Sequence, residues 1–391
     1  MSEHPRILYV QYTNPAAYPP LEHSVQLLAE SGCEVLLLGT ATASDPLRIA
    51  PHDRVRVELL PFVGPGWRQK AHYLRFAAWA NDQSRRWRPD WIYSSDPLSC
   101  PITLSLSAAT SARVLYHEHD APAEDAGEGS WFMRTVLLAR RRVAARAELC
   151  VLPNDGRADA FRREHPTARV VTVWNCPTRH EVNPTSRVPS SELRVLYHGS
   201  IVPARLPLAV MDAIACLPDR VRLVIVGYET PGHGGYVDEL KQRAIERGVA
   251  DRVEVLGALP RAELMRHCLT CDVGLALLPL SPTDVNERAM VGASNKVFDY
   301  MAAGLPVIVP DSPEWRAAYV DAGFGVSCDP ESADSLAGAL TRLLTDPVER
   351  IAMGERGRQK IVSDWNYERA FAPVFERLTS AHLSSGDPVL A

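Results

Sequence analysis

The sequence has no long apolar run, no excess of basic charge and no low-complexity tract. No segment approaches the roughly 20 consecutive apolar residues that span a bilayer, so we expect no transmembrane helix. The formal net charge is −5, which argues against nucleic-acid binding because that function usually needs a basic surface. The first residues, MSEHPRILYVQY, contain neither a basic stretch nor a long apolar one. We therefore expect no secretory signal and a cytoplasmic protein.

Metal and dinucleotide motifs are also absent. The single C-x-x-C, formed by Cys268 and Cys271, has no second pair, whereas a structural zinc site needs four ligands. Most of the eight cysteines lie inside apolar segments, which is typical of core residues in a reducing compartment. No G-x-G-x-x-G occurs, so the sequence does not indicate a dinucleotide site.

Apolar strands alternate with helical stretches along the whole chain. The length of 391 residues favours two domains. The alternation predicts an α/β architecture with two parallel sheets, each covered by helices on both faces. In the first half, strands are predicted at Arg6–Thr13, Cys33–Thr40, Val55–Phe62, Trp91–Ser95, Arg113–His119, Leu149–Asn154 and Val170–Asn175. In the second half, they are predicted at Arg194–Gly199, Arg222–Gly227, Val253–Gly257, Val273–Pro279, Pro306–Pro310 and Gly325–Asp329.

A segment without periodicity separates the two halves. Residues 176–193, CPTRHEVNPTSRVPSSEL, contain three prolines and several polar, turn-forming residues, a composition typical of a linker. We therefore expect an N-terminal domain at residues 1–180, a linker at 181–193 and a C-terminal domain at 194–364. A helix is expected within residues 365–391.

The stretch Ser294–Pro310 has the clearest functional pattern. It predicts a short helix, capped by Ser294 or Asn295, and then a buried strand. A helix start offers unpaired N–H groups and the positive end of the helix dipole, which suit a phosphate, and Lys296 lies in this first turn. Asp299 lies about one turn deeper, where a carboxylate could reach ribose hydroxyls. The alternative is a packed, capped helix with Lys296 and Asp299 in solvent.

A second pattern follows the first predicted strand of the second half. Gly199 ends this strand, and a glycine lets a ligand approach the backbone closely. Arg205 lies at the start of the next helix, where its guanidinium could bind diphosphate oxygens. The alternative is a glycine turn and a surface arginine.

A polar cluster, His117-Glu118-His119-Asp120, ends a predicted strand of the first half. Strand alternation places both histidines on one face and Glu118 on the other. Two histidines and a carboxylate can bind zinc, but this spacing places no third ligand. The other interpretation is a strand end held by loop hydrogen bonds.

The chain resembles the large retaining glycosyltransferase family usually called GT4, which has the GT-B fold. The run N-K-V-F-D-Y-M-A-A-G-L-P-V-I at residues 295–308 is similar to the nucleotide-sugar-binding element of that family. Asp299 falls on the second acid of the family's E-x7-E motif, whereas the first acid falls on Val291. The donor sugar would then be held differently, by Glu287, by Asp284 or by backbone amides.

The resemblance implies two Rossmann-like, doubly wound domains that face a central cleft, with a C-terminal helix that crosses back to the N-terminal domain. Leu206 stands where relatives have a second basic residue, so Lys296 is expected to supply that charge. The implied catalytic residues are His119, Asp120, Arg205 and Lys296. The implied donor-binding residues are Gly199, Ser200, Gly227, Leu259, Ser294, Asn295 and Asp299.

The resemblance also implies a reaction. A sugar would pass from a nucleoside-diphosphate sugar to the hydroxyl of a small molecule or glycan, with retention of configuration. No Asp-x-Asp occurs in the sequence, whereas the metal-dependent GT-A transferases use that pair, so no metal or other cofactor is expected. Two alternatives are a sugar-nucleotide epimerase on the same fold and a degenerate donor-binding protein. Val291 and Leu206 favour the second alternative.

A basic segment lies at residues 131–149, WFMRTVLLARRRVAARAEL. Its arginines are Arg134, Arg140, Arg141, Arg142 and Arg146. Some members of the resembled family dock such a helix on anionic membranes, which would place this protein at the inner membrane face. The alternative is an ordinary helix with one solvated face, which the negative net charge favours.

Overall fold

The computed structural model describes residues 4–42, 47–64, 66–182, 187–230 and 232–380. It divides into two compact units, one of Met1–Asn175 with Tyr367–Ala391 and the other of Cys176–Asn366. Residues 181–193 therefore belong to the second unit. Arg187 anchors this segment, because its guanidinium donates hydrogen bonds to the backbone carbonyls of Cys271 and, at 2.9 Å, of Ala303.

The described residues of the first unit contain a sheet of seven parallel strands. These are β1 Arg6–Val10, β2 Glu34–Thr40, β3 Val55–Leu60, β4 Trp91–Ser95, β5 Arg113–His117, β6 Leu149–Leu152 and β7 Val170–Thr172. Their order is β3-β2-β1-β4-β5-β6-β7, so the direction of the connections reverses between β1 and β4. In open α/β sheets, ligands bind beyond the carboxyl ends of the strands at such a reversal.

The second unit has a sheet of six parallel strands within its described residues. These are β8 Leu193–Ile201, β9 Val221–Glu229, β10 Val253–Leu256, β11 Val273–Leu275, β12 Val307–Pro310 and β13 Gly325–Cys328. Their order is β10-β9-β8-β11-β12-β13, and here the reversal lies between β8 and β11.

Helices cover both sheets. They are α1 Pro19–Glu30, α2 Trp67–Trp87, α3 Cys100–Ala109, α4 Trp131–Arg146, α5 Asp155–Glu164, α6 Ala209–Ala215, α7 Tyr236–Glu246, α8 Arg261–Leu269, α9 Val285–Arg288, α10 Asn295–Ala302, α11 Pro313–Trp315, α12 Ala333–Thr345, α13 Pro347–Ser363 and α14 Tyr367–Thr379. Among the described helices, none is long and apolar enough to cross a membrane.

The last helix, α14, packs on the first unit, as predicted. Tyr367, Phe371, Val374 and Leu378 recur at helical spacing and are fully buried in the same core as Leu21 of α1. The described helix ends at Thr379. Residues 381–391 of the segment expected to contain it lie outside the described residues.

The predicted strands are confirmed, but several of them end earlier than expected. The strand predicted to reach His119 ends at His117, where it last pairs with Ser95 of β4 and Val151 of β6. Asp96, which directly follows the neighbouring strand β4, adopts φ 63°. His119 therefore lies in the loop beyond the strand end.

Candidate active site

The start of α10 lies near the reversal point of the second sheet. Ser294 occupies the N-cap position, but its side chain makes no capping hydrogen bond. The buried Oδ1 of Asn295 has no hydrogen-bond partner among the described residues. Because no described side chain caps α10, the N–H groups of its first turn remain available to an anion.

Tyr300 fixes this helix to the sheet. Its hydroxyl accepts a hydrogen bond from the backbone N–H of His198 at 3.0 Å and donates one to the carbonyl of Leu275 at 3.1 Å. These partners belong to β8 and β11, the two strands at the reversal point. A Cβ on Gly274 would lie 2.1 Å from the Tyr300 ring, so glycine is needed there for the ring to fit.

Lys296 lies against the end of β8. Its Nζ is 5.4 Å from the centroid of the Tyr197 ring, a cation–π contact. A Cβ on Gly199 would lie 3.0 Å from Lys296 Nζ, and Gly199 has φ +107°. Burial, and after it the charge of Arg205, lower the pKa of Lys296 to about 7. Glycine at position 199 thus gives room to the Lys296 amine, whose pKa is lowered although the charges of Asp299 and Glu287 act to raise it.

Arg205 completes this group. Its Nη1 donates a hydrogen bond to Ser200 Oγ at 2.9 Å, and its Nε lies 3.7 Å from Glu287 Oε1. Ser200, Arg205 and Lys296, together with the start of α10, form what we call the basic cluster. Leu206 is fully buried in the core of the second unit, so the position of the second basic residue of relatives is used here for packing.

Two other predicted donor-binding residues, Gly227 and Leu259, lie near the ends of neighbouring strands. Gly227 lies at the end of β9, where a Cβ would come within 1.9 Å of the carbonyl oxygen of Gly199. Glycine therefore allows the ends of β8 and β9 to approach closely. Leu259 is half-buried in the loop after β10, and Val291 is half-buried in the turn before α10.

Asp299 is buried, with an exposed fraction of 1%. Arg261 donates to both of its carboxylate oxygens, at 2.8 and 3.2 Å, and also binds Glu181. His198 Nε2 lies 3.5 Å from Asp299 Oδ2, and burial holds the pKa of His198 well below its usual value. The alternative in which Asp299 lies in solvent is therefore wrong.

Arg261 and Glu181 are site residues that the sequence analysis missed. Arg261 follows Pro260 at the first position of α8, and Glu181 ends a short 3₁₀ turn in the expected linker. Neither belongs to a motif. A buried charge next to another charge can be inferred only once the fold places them together.

In the first unit, His117 and His119 share one side of the strand end, as predicted, with ring centroids 3.9 Å apart. Glu118 points the other way and binds the guanidinium of Arg140 at 2.6 and 2.9 Å. Arg140 also binds Glu164 of α5. It is therefore buried in an ion-pair network, and its expected place on the basic face of α4 is wrong.

His119 is buried but remains close to the exposed Asp120. His119 Nε2 lies 3.1 Å from Ser95 Oγ, whereas its buried Nδ1 has no partner among the described residues. Arg157 donates to the His119 carbonyl at 2.5 Å and to Asp120 Oδ1 at 3.4 Å. Burial, and after it the charge of Arg157, lower the pKa of His119 to about 3. The imidazole is therefore neutral near pH 7 and a poor proton acceptor.

Asp96 is a further polar residue at this strand end that the sequence analysis missed. Its carboxylate accepts hydrogen bonds from the backbone N–H groups of His119 at 2.8 Å and of Asp120 at 3.4 Å. Burial, and after it the charge of Asp120, raise the pKa of Asp96 to about 7. An Asp-Pro directly after a predicted strand was the available signal.

No group of three or more His, Cys, Asp or Glu side chains able to hold a metal ion occurs in the part of the chain that the structure describes. Cys268 and Cys271 are both buried free thiols, as expected of core cysteines.

Two family models together match most of the chain. Residues 179–360 match "Glycosyl transferases group 1", and residues 21–176 match "Glycosyl transferase 4-like domain". A GDP-mannose-dependent alpha-(1-6)-phosphatidylinositol monomannoside mannosyltransferase of Mycobacterium tuberculosis is 29% identical over 160 residues, which cover 41% of this chain and 40% of that protein. The alignment therefore spans only about two fifths of this relative's length.

Solved structures are similar over nearly the whole chain. Sucrose-phosphate synthase from Thermosynechococcus elongatus has a TM-score of 0.75 at 19% identity and covers 97% of this chain and 100% of its own. HepE of Anabaena, in complex with UDP-glucose, has a TM-score of 0.68 at 17% identity and covers 98% and 100%. The two parallel sheets and these similarities define a GT-B fold. The matching family models show that the chain belongs to the GT4-like glycosyltransferases.

Proposed function

We propose that the chain transfers a sugar from a nucleoside-diphosphate sugar to an acceptor hydroxyl. The observation that carries this proposal is the basic cluster. Lys296, Arg205 and the uncapped start of α10 lie around the end of β8, where Gly199 leaves room for the Lys296 amine. A diphosphate has the charge and the acceptor oxygens that such donors bind.

The similar proteins support this class of donor. HepE binds UDP-glucose, and the mycobacterial relative depends on GDP-mannose. UDP-glucose and GDP-mannose are therefore the first donors to test. We retain Asp299 as the proposed ribose contact, because a carboxylate accepts hydrogen bonds from hydroxyl groups and Asp299 lies on α10, the helix that begins at the basic cluster.

The proposed reaction needs no metal ion. The bond between the anomeric carbon and the diphosphate oxygen breaks, and the acceptor oxygen bonds to the same carbon. The charge on the departing phosphate is stabilised by the basic cluster, and one preorganised donor is worth about 3–4 kcal/mol in such a role. Attack from the side of the leaving group retains the configuration and lets the phosphate take the acceptor proton.

His119 is proposed to orient the substrates. A neutral imidazole with one unsatisfied ring nitrogen can bind a sugar hydroxyl, whereas its lowered pKa makes it a weak base. The departing phosphate is the proton acceptor in this mechanism, so a dedicated base is not required.

A thermal-shift panel tests the donor site. UDP, GDP, dTDP, ADP and CMP and their sugar conjugates would be added in turn, because a ligand of the folded state raises the apparent stability with its concentration. We expect a clear shift with one nucleoside diphosphate and its conjugate. A well-folded sample that shifts with none of them would contradict the proposal.

Turnover separates the proposal from its alternatives. A transferase releases the nucleoside diphosphate and forms a glycoside whose anomeric configuration is read by NMR, and EDTA leaves the rate unchanged if no metal is needed. Isomerised sugar without an acceptor product would indicate an epimerase. Donor binding without turnover on any acceptor would indicate a degenerate binding protein.

We also propose that α4 contacts an anionic membrane from the cytoplasmic side. Trp131 and Leu138 are 71% and 56% exposed, and they lie two helical turns apart on one face. The neighbouring exposed arginines are Arg134, Arg141, Arg142 and Arg146. The helix carries no acidic residue, so exposed apolar and basic groups combine as in interfacial helices.

Vesicle co-sedimentation tests this contact. We expect binding to vesicles that contain phosphatidylglycerol and little binding to pure phosphatidylcholine. Trp131→Ala with Leu138→Ala should reduce binding, whereas Ile245→Ala, which removes a 61% exposed side chain from α7 of the second unit, should not. Equal sedimentation of all variants, or none of the wild type, would contradict the contact.

A further inference from the structure

Three strand ends of the first sheet meet at Asp96. Gln11 follows β1, Asp96 follows β4 and His119 lies just beyond β5. Asp96 Oδ1 accepts the backbone N–H of His119 at 2.8 Å, and Asp96 Oδ2 accepts Gln11 Nε2 at 3.3 Å. Since the strand order reverses between β1 and β4, these contacts lie where this fold class binds ligands.

The backbone of Asp96 is strained. Its φ and ψ are 63° and 164°, a region that costs a non-glycine residue about 1–3 kcal/mol. Arg88, the other described non-glycine residue with positive φ, ends a helix in the common left-handed cap conformation. Asp96 precedes a 3₁₀ turn, but its side chain makes no capping hydrogen bond there. The carboxylate is directed to His119 and Gln11 instead.

The two side chains next to this carboxylate have unsatisfied polar atoms. Gln11 is 1% exposed and His119 is 5% exposed. Gln11 Oε1 and His119 Nδ1 have no hydrogen-bond partner among the described residues. Buried polar atoms without partners are rare in proteins. A ligand with hydroxyl groups, which donate and accept hydrogen bonds, could satisfy both.

We infer that Asp96 is a positioning residue of an acceptor subsite, in which it holds Gln11 and the backbone of His119 so that these two residues bind a hydroxyl of the acceptor. The inference rests on the proposed sugar transfer. It assigns Asp96 no contact with the reacting atoms. The acceptor class that fits is a polyhydroxylated molecule, such as a sugar or a cyclitol.

Two substitutions at this position separate hydrogen bonding from general stability. Asp96→Asn keeps a side-chain oxygen for the backbone N–H of His119, and Asp96→Ala removes it. Asp90→Ala is a matched control, because Asp90 accepts the backbone N–H of Arg6 at 2.8 Å at the opposite end of β4. Asp90→Ala therefore removes a similar hydrogen bond at the end of the sheet opposite to Gln11 and His119.

The first measurement is the release of nucleoside diphosphate from the donor with glucose or myo-inositol as the acceptor, after subtraction of the rate with water alone. We expect Asp96→Ala to lower kcat by roughly 10- to 100-fold, as misplacement of a substrate-positioning group does. Asp96→Asn can still accept the backbone N–H of His119 but not the Gln11 Nε2 hydrogen bond as well, so its rate should lie between those of Asp96→Ala and the wild type. The thermal shift with the nucleoside diphosphate should persist in all variants. Asp90→Ala should lower the melting temperature without lowering kcat.

Hydrogen exchange of the peptide that contains His119 and Asp120 is the second measurement. Hydrogen exchange tests whether Asp96 holds the backbone of His119, and it does not require activity. If the wild type transfers no sugar, the proposed function fails but this test still applies. We expect faster exchange in Asp96→Ala and unchanged exchange in Asp96→Asn. Unchanged exchange or turnover in Asp96→Ala overturns the inference, and so does an Asp96→Asn variant that is as slow as Asp96→Ala.

Discussion

Arg261 donates hydrogen bonds to both carboxylate oxygens of Asp299, so the acid that matches the family motif is part of a buried ion pair. The same guanidinium also binds Glu181. Arg261 therefore joins the start of α8 to the 3₁₀ turn that ends at Glu181 and to the middle of α10. Any loss of donor binding on substitution of Asp299 has two possible origins, a lost ribose contact or a lost ion pair.

Asp299→Ala and Arg261→Met distinguish these origins. If Asp299 binds ribose, Asp299→Ala should weaken donor binding much more than Arg261→Met, which leaves the carboxylate in place. Arg261→Met should also lower the free energy of unfolding by about 3–5 kcal/mol, because it leaves the buried Asp299 carboxylate without its ion-pair partner. Asp299→Ala should cost less, because Arg261 keeps its ion pair with Glu181. Titration with UDP-glucose or GDP-mannose and denaturant unfolding give the two quantities.

The double variant is the control for this comparison. Removing both partners should cost less than the sum of the single losses, since no isolated charge remains between them. Equal donor affinity in Asp299→Ala and the wild type would disprove the ribose contact. Additive unfolding free energies would show that the pair is not coupled.

Lys296 predicts a pH dependence of donor binding. In the free protein its pKa is lowered to about 7, so the amine loses its charge as the pH rises through 7. A bound diphosphate favours the charged amine and raises its pKa, so binding at pH 8 takes up a proton. Donor affinity should therefore fall as the pH rises from 7 to 9, measured by calorimetry in buffers of different ionisation enthalpy.

Lys296→Arg and Lys296→Met provide the comparison. Arginine remains charged over this range, so the donor affinity of Lys296→Arg should not change with pH. Methionine should bind weakly at every pH, again without a slope. A nucleotide sugar is the better ligand, because its diphosphate does not titrate near neutral pH. A wild-type affinity that is constant from pH 7 to 9 would contradict the role of Lys296.

The fold was predictable because hydrophobic patterning is local. Alternating apolar strands and helices gave both sheets, and the spacing of Tyr367 and Phe371 gave the buried face of α14. Strand ends were less predictable, since β5 stops at His117 where its pairing with β4 and β6 ends. The residue at which β5 ends therefore depends on strands that are distant in the sequence, which a local pattern does not reveal.

The site was predictable only in part, for the same reason. Gly199 and Lys296 lie in motifs, and the structure brings them into contact although they are 97 residues apart in the sequence. Arg261 and Asp96 belong to no motif, and their importance comes from burial and from partners on other elements. Likewise, the sequence pattern predicted Arg140 on the basic face of α4, whereas the structure pairs it with the buried Glu118.

His119→Ala predicts a loss of turnover without a loss of donor binding. The residue belongs to the first unit, whereas the basic cluster belongs to the second, so the thermal shift with the donor should persist. Turnover should fall by roughly 100-fold if the imidazole positions the substrates. Because its pKa is about 3, the wild-type rate should show no His119 titration between pH 5 and 8.

His52→Ala is the control for this substitution. His52 is half-buried before β3, away from the ends of β4 and β5, and its Nδ1 accepts the backbone N–H of Arg54. It should leave turnover unchanged. Full activity of His119→Ala would remove this residue from the proposed site, and an inflection near pH 6.5 that vanishes in His119→Ala would contradict its neutral state.

Gly199→Ala should disturb the basic cluster directly. A Cβ at this position would lie 3.0 Å from Lys296 Nζ, and the backbone has φ +107°, which L residues rarely adopt. We expect a destabilisation of about 1–2 kcal/mol from the backbone, and weaker donor binding because the amine must move. Denaturant unfolding and donor titration measure the two effects separately.

Gly338→Ala separates the local effect from the general one. Gly338 lies in α12, and a Cβ there meets nothing within 4 Å. Alanine should stabilise this helix by about 1 kcal/mol and leave donor binding unchanged. If Gly199→Ala binds the donor as tightly as Gly338→Ala, the amine does not need the space that Gly199 provides, and the basic cluster would not be the diphosphate site.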